Sequence, residues 1–173
     1  MFPKQDSLKI AIITSEKINH KEIDQKVTWF NNIKEVNQSA FDFVIDCNKE
    51  EVSVLYIKEN RSINIETVEK KIVLQELVSI LTDEKYVDLD LDDILSIIGD
   101  ESNVAIFEGK TEEVIDDLSK HEEKYDSCFV YVRGDISLIE SERIVKSLAC
   151  KDIQFAVSIN EKMNQTVRVS IWY

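Results

Sequence analysis

Short apolar runs rich in β-branched residues alternate with amphipathic stretches along this chain. Leu8–Thr14 is continuously apolar, as expected of a strand buried on both faces. Residues His20 to Val36 carry apolar side chains at helical spacing, with Asn19 at an N-cap position. Phe41–Cys47 predicts a second strand, and Val52–Ile57 a third. The first 64 residues are therefore expected to begin as a β-α-β segment.

A long helix is predicted from about Glu66 to Leu81, because its apolar positions lie along one face. It is followed by an acidic segment, Asp88–Asp93, from which a shorter helix leaves toward Gly99. Gly99 stands where a helix C-cap belongs. Residues 65–86 are expected to connect the initial segment to a separate domain over residues 87–173.

Strands and helices alternate regularly in that last domain. Strands are predicted at Val104–Phe107, Ser127–Val132, Ile153–Ile159 and Thr166–Trp172, and helices at Glu112–His121 and from Ser137 to about Ala149. Ser137 and Glu140 form a capping-box pattern. The order α-β-α-β-α-β-β predicts an α/β (α+β) fold, with a four-stranded mixed sheet and packed helices. Its last two strands are expected to pair as a hairpin.

The charge of the chain limits its partners. The formal net charge is −13, and 43% of the 173 residues are hydrophobic. An acidic protein is repelled by nucleic acid and by anionic membrane surfaces, so neither is expected as a partner. No apolar stretch approaches the length of a membrane span, and Met1–Ser7 does not resemble a signal peptide. A soluble, cytoplasmic protein is expected.

Glycine is scarce, and its scarcity bears on cofactors. Gly99, Gly109 and Gly134 are the only glycines and lie far apart, whereas phosphate-binding loops need clustered glycines. No nucleotide or other cofactor is therefore expected in the isolated chain. Three cysteines without framework spacing suit a reducing compartment and are expected to be buried thiols. No Cys/His/carboxylate pattern predicts a metal site.

The acidic segment allows two interpretations. In the simpler one, Asp90 caps the helix and Asp93 lies near its third position, both favoured by the helix dipole. In the other, Asp90 and Asp93 share one helix face, where two carboxylates could orient a water molecule or bind Mg²⁺. A calcium-binding loop is not supported, because its glycine and closing glutamate are missing.

Two motifs resemble the FtsZ/tubulin family. The sequence Asp88-Leu89-Asp90-Leu91-Asp92-Asp93-Ile94 after a long helix is similar to the synergy loop of FtsZ, with the pattern Asn-Leu-Asp-Phe-Ala-Asp-Val. Arg133-Gly134-Asp135-Ile136-Ser137-Leu138-Ile139-Glu140 is similar to the family turn Gly-Gly-x-Asp-Leu-Thr-Leu-x-Glu. The element order resembles the FtsZ C-terminal domain, and upstream Ala11–Thr14 and Asp42–Asn48 resemble the strand-helix-strand before the central helix.

The resemblance implies a role in trans. In that family the synergy loop of one subunit completes the GTPase site of its neighbour, and its two aspartates position the attacking water. Those positions correspond to Asp90 and Asp93. Asp88, Leu89, Leu91 and Asp92 are then expected to contact the partner. Asp88, Leu91 and Asp92 depart from the family pattern, and the added charges repel a triphosphate unless a cation intervenes.

The expected function is a non-catalytic cytoskeletal or cell-division interaction module. Its expected partner is an FtsZ-family protein or a second copy of the chain. One alternative is an activator that stimulates GTP hydrolysis in trans. Another is an unrelated α/β module for ligand sensing or oligomerisation, in which the aspartates are plain helix caps.

Overall fold

A computed structural model of the chain describes residues 8–15, 27–67, 69–86, 91–99, 101–121 and 125–173. The chain divides into two compact units. The first comprises Met1–Asp83 together with Asp100–Ser102, and the second comprises Glu84–Gly99 together with Asn103–Tyr173.

The first unit is built mainly from short strands. They are β1 (Ile10–Ile13), β2 (Val27–Phe30), β3 (Phe43–Asp46), β4 (Val52–Tyr56) and β5 (Arg61–Glu66), in the sheet order β2-β1-β3-β4-β5. Strand β1 lies parallel to both β2 and β3, while β3, β4 and β5 form an antiparallel meander. Strands β1 and β3 are buried at every position. Two-sided burial explains why both are apolar in sequence except at Asp46, the last residue of β3.

The helix predicted from His20 to Val36 is wrong at Val27–Phe30, which form strand β2. Helical spacing of apolar residues suggested the helix, but Val27, Thr28 and Trp29 also favour a strand. Parallel pairing with β1 decides between the two, with Ile10 opposite Val27 and Ile13 opposite Phe30. The predicted β-α-β start is therefore replaced at these residues by a third parallel strand. Residues 20–26 of the predicted helix lie outside the described part.

Strand β5 lies between the predicted third strand and the predicted long helix, where no strand was predicted. Only Ile63 and Ile65 are apolar there, but they alternate and both are buried. Asn60 has a positive φ of 50°, which closes the turn from β4 into β5. After β5 comes helix α1 (Lys70–Thr82), which starts four residues later than the predicted long helix.

The second unit alternates helices and longer strands. Its elements are α2 (Leu91–Ile98), β6 (Glu101–Gly109, of which Glu101–Ser102 belong to the first unit), α3 (Thr111–Lys120), β7 (Tyr125–Gly134), α4 (Leu138–Lys146), β8 (Cys150–Ile159) and β9 (Val167–Trp172). Every helix and strand predicted after the acidic segment is present. Strands β6 and β7 extend beyond the predicted bounds at both ends, β8 begins three residues earlier, and β9 begins one residue later.

The sheet of this unit has the order β6-β9-β7-β8 and is mixed. Strand β7 is parallel to β8, and β9 is antiparallel to both β6 and β7. The predicted β8–β9 hairpin is wrong, since the chain crosses β7 before β9 begins. Val169, Ser170, Ile171 and Trp172 are all fully buried, as a central strand requires. Strand β8 is left at the edge, with Lys151 and Asp152 exposed.

The fold-class prediction is correct in part. The chain is α/β with mixed strand pairing, and its described residues form four helices. They also form nine strands rather than four. The four predicted strands account only for the second unit, because the first unit contributes five strands of its own.

Candidate interaction site at the start of helix α2

Helix α2 has one apolar face and one polar face. Ile94, Leu95 and Ile98 follow helical spacing and are all at least 96% buried. The helix packs against strand β7 of the same unit. It ends at Gly99, whose φ of 71° and amide bond to the Leu95 carbonyl oxygen (3.2 Å) form the predicted C-terminal cap. Its orientation is therefore fixed by the core on one side.

The chain just before the acidic segment is also fixed to the second unit. The Tyr86 amide donates a hydrogen bond to the Val157 carbonyl oxygen at 2.8 Å. The Ser158 hydroxyl donates to the Glu84 carbonyl oxygen at 2.9 Å. Val157 and Ser158 both belong to strand β8. The described residues on either side of 87–90 are thus held by two neighbouring strands, β8 and β7.

Asp92 and Asp93 occupy the first turn of α2 and are both exposed. Within the part of the chain that the structure describes, neither forms a hydrogen bond or an ion pair. The positive end of the helix dipole favours negative charge in this turn. Because the opposite face is held in the core, the two carboxylates project from a rigid support into solvent. They are available to a cationic group or to a metal ion carried by a partner.

The other predicted site residues are only partly visible. Asp88, Leu89 and Asp90 lie outside the described residues. Leu91 begins α2, but its side chain is outside the described part. Asp93 is the third described residue of α2, and whether Asp90 caps this helix stays a prediction, because Asp90 lies outside the described residues. Whether Asp90 and Asp93 act together stays a prediction.

The second motif, Arg133–Glu140, forms the turn from β7 into α4. A Cβ atom on Gly134 would lie 2.5 Å from the Thr166 carbonyl oxygen and 2.7 Å from the Val167 Cα. Only glycine lets β9 begin this close to the end of β7. The Asp135 carboxylate accepts a hydrogen bond from the Gln165 amide at 2.9 Å. Gly134 and Asp135 therefore hold the end of β7 close to the start of β9.

The predicted capping box opens helix α4. The Ser137 Oγ accepts from the Glu140 amide at 3.2 Å, while the Glu140 Oε2 accepts from the Ser137 amide at 3.0 Å and its hydroxyl at 2.6 Å. The Ser137 hydroxyl bond, followed by the Ser137 amide bond, lowers the pKa of Glu140. The hydrogen bonds to Oε2 hold this carboxylate at the N-terminus of its own helix.

Two apolar residues at the start of α4 were not predicted as exposed. Leu138 is 46% exposed and Ile139 is 74% exposed, although Ile136 just before them is buried. A helical plot of α4 places Ile139 opposite the buried Ser141, Ile144 and Val145, but it places Leu138 near Val145, seven residues later, so it signals only the exposure of Ile139. Single exposed apolar residues are common on proteins, so their exposure alone assigns no role.

The described residues show neither a metal-binding cluster nor a membrane-spanning helix. Among the described residues, no three His, Cys, Asp or Glu side chains come together as a metal site would require. None of the described helices combines the length and apolar composition needed to cross a bilayer.

The start of α2 is thus an acidic, rigidly supported surface, and comparison with known proteins adds no relative that would name its partner. No family model matches this chain, and no curated protein matches it in sequence.

Proposed function

We propose that this chain is an FtsZ-like interaction module that docks its acidic segment, Asp88–Asp93, on the GTP face of an FtsZ-family partner. It acts in cytoskeletal assembly or cell division and supplies no nucleotide-binding loop of its own. The observation that carries the proposal is the exposed acidic first turn of α2, on a helix whose other face is locked in the core of the second unit.

The element order of the second unit supports the proposal. Helix α2 is followed by β6-α3-β7-α4-β8-β9, as expected from the resemblance to the FtsZ C-terminal domain. Both motifs that carry the resemblance fall in this one unit, one at the start of α2 and one between β7 and α4. The first unit lends no such support, because β2 replaces part of the helix on which the upstream similarity depended. The proposal therefore rests on the second unit.

Electrostatics set a requirement on docking. The segment 88–93 carries four aspartates, and a triphosphate on the partner is also negative. Two like charges 4 Å apart repel by about 1 kcal/mol even in bulk water. Docking therefore requires a cation between the two surfaces, either a basic side chain of the partner or the Mg²⁺ that accompanies GTP. It is expected to need Mg²⁺ and to respond to ionic strength.

The test is to mix the purified chain with a purified FtsZ-family protein, GTP and Mg²⁺. Polymer formation is followed by sedimentation and GTP turnover by phosphate release. The chain is expected to change the amount of sedimented polymer, because it occupies the face on which the next subunit stacks. If neither polymer nor turnover changes at a tenfold excess of the chain, the docking proposal is wrong.

Matched variants locate the effect. Asp93→Asn removes one charge from the first turn of α2 and is expected to weaken the effect on polymer. Asp117→Asn is the control, since Asp117 is equally exposed on α3 of the same unit. Equal losses for the two variants would show that general acidity, rather than the start of α2, is responsible.

The same mixture separates docking from activation of hydrolysis. An activator would raise GTP turnover, and Asp90→Ala or Asp93→Ala would abolish that stimulation while binding persisted. A pure docking module would change the amount of sedimented polymer without raising GTP turnover. Asp93→Ala would then have no stimulated turnover to abolish.

A further inference from the structure

Two of the three cysteines touch each other, although 22 residues separate them in sequence. The Cys128 Sγ on β7 lies 3.2 Å from the Cys150 Sγ at the start of β8. Cys128 donates its S–H to Cys150, and Cys150 in turn donates to the Asp152 carbonyl oxygen at 3.2 Å. Both are free thiols in this structure. A disulfide has a sulfur–sulfur distance of about 2.05 Å, so the sulfurs need approach by only about 1 Å to bond.

The two thiols differ in access to solvent. Cys128 is fully buried in the core of the second unit, and burial, followed by its bond to Cys150, raises its pKa above the usual range. Cys150 is only partly buried and begins the edge strand β8, next to the exposed Lys151. A small oxidant therefore reaches Cys150 first, and Cys128 lies behind it as the resolving thiol.

We propose that Cys128 and Cys150 are a redox-active pair that forms a reversible disulfide on reaction with a hydroperoxide. The Cys150 thiolate attacks the peroxide, an S–O bond forms, the O–O bond breaks, and with hydrogen peroxide the leaving hydroxide takes up a proton as water. The Cys128 sulfur then attacks the Cys150 sulfur. An S–S bond forms, the S–O bond breaks, and the Cys128 proton leaves with the hydroxide as a second water. Two thiols are oxidised while one peroxide is reduced.

Strand register shows why this disulfide is a switch rather than a permanent link. In the β7–β8 pairing, Cys150 stands opposite Tyr125 and Cys128 stands opposite Ile153, so the two cysteines are three positions apart. A covalent bond between offset positions pulls the start of β8 along β7. Disulfides that distort the backbone are more easily reduced than relaxed ones. Ordinary thiols are therefore expected to reverse the oxidation.

The experiment uses the full chain treated with hydrogen peroxide, quenched in acid, unfolded and alkylated. Intact mass is expected to show the loss of two hydrogen atoms and the alkylation of one cysteine instead of three. Peptide mapping is expected to find the fragments with Cys128 and Cys150 joined and Cys47 alkylated. Dithiothreitol is expected to restore three alkylated cysteines. This map needs no variant, so it decides the question even where a substitution prevents folding.

Variants sharpen the assignment of roles. Cys47→Ser, in the other unit, is expected to leave the two-hydrogen loss intact, whereas Cys150→Ser is expected to abolish it. Cys128→Ser is expected to stop the reaction at a sulfenic acid on Cys150, which dimedone labels. The proposal is overturned if Cys128 is still fully alkylated after oxidation, whether Cys150 proceeds to sulfinic acid or pairs between two chains. A link that includes Cys47 overturns it as well.

Discussion

Helices α2 and α4 both carry acidic residues in their first turn, but within the described residues only the α4 carboxylate bonds to the N-terminus of its own helix. Glu140 of α4 accepts two hydrogen bonds from Ser137, and these bonds lower its pKa. Asp92 and Asp93 of α2 are exposed and bond to no other described residue. The difference separates a carboxylate that stabilises its own fold from carboxylates that no described residue engages and that the docking proposal assigns to a partner. Each prediction below tests one side of this comparison.

The largest effect is expected at Gly134, which leads into α4. In Gly134→Ala the added Cβ meets backbone atoms of Thr166 and Val167 at 2.5 and 2.7 Å, and backbone cannot move aside as a side chain does. The free energy of unfolding is expected to fall by about 1–3 kcal/mol. Urea unfolding followed by the fluorescence of Trp172, which is buried on β9, measures it in a Trp29→Phe background.

Gly109→Ala is the matched control for that experiment. Its Cβ would meet the Glu113 Oε2 at 3.1 Å, a side-chain atom that accepts a hydrogen bond from the Lys110 amide at 2.9 Å and needs to shift by only a few tenths of an ångström. The cost is expected to stay within about 0.5 kcal/mol. Equal unfolding midpoints for the two variants would show that β9 does not close tightly on Gly134.

Loss of the capping box comes next in size. Ser137→Ala removes the hydroxyl that accepts from the Glu140 amide and donates to its carboxylate. A cost of about 1 kcal/mol in the free energy of unfolding is expected. Ser96→Ala, at an exposed position inside α2, is the control and is expected to be neutral or slightly stabilising, because alanine favours helix. A smaller loss for Ser137→Ala than for Ser96→Ala would contradict the capping role.

The pH dependence of stability tests the same carboxylate. Because folding lowers the pKa of Glu140, its contribution is fully present above the ordinary value of 4.5 and is lost as pH falls through the lower folded pKa. The stability advantage of the wild type over Glu140→Gln is therefore expected to shrink between about pH 5 and pH 3. Unfolding both proteins in urea across this range measures the difference. Parallel curves would show that the charge of Glu140 contributes nothing.

The smallest stability effect is expected at Asp93. Asp93→Asn loses only the favourable interaction with the helix dipole, and about 0.3–0.5 kcal/mol is expected because the site is exposed. Thermal unfolding measures the change. A decrease of more than about 1 kcal/mol in the free energy of unfolding would show that Asp93 stabilises α2 itself. That result would count against the proposal that Asp93 binds a partner.

The success of sequence reasoning differs between the two units for a physical reason. In the second unit, signals within a few residues place the elements: Gly99 ends α2, the Ser137–Glu140 pair starts α4, and Gly134 marks the turn before it. In the first unit, β2 and β5 carry weak local signals. Pairing with β1 and β4 stabilises them as strands, and a single-sequence pattern does not contain that pairing.

The candidate site was partly predictable for the same reason. Helical spacing placed a helix after the acidic segment, and the structure shows Asp92 and Asp93 in its first turn. The exposure of Leu138, which a helical plot places near the buried Val145, depends on how the first turn of α4 packs. The contact between Cys128 and Cys150 depends on β7 and β8 being neighbours. Neither could be derived from residue spacing along the chain.

The sequence by itself determined the elements of the second unit, the C-terminal cap of α2 at Gly99, the capping box that opens α4, the acidic charge, and the scarcity of glycine. Each is a local or additive property, set by residue type and by neighbours within about one helical turn. Only the tertiary structure decided that β9 lies between β6 and β7, that Val27–Phe30 form a strand, and that two distant thiols meet. These features depend on hydrogen bonds and burial between residues far apart in the chain, where several pairings satisfy the same local pattern.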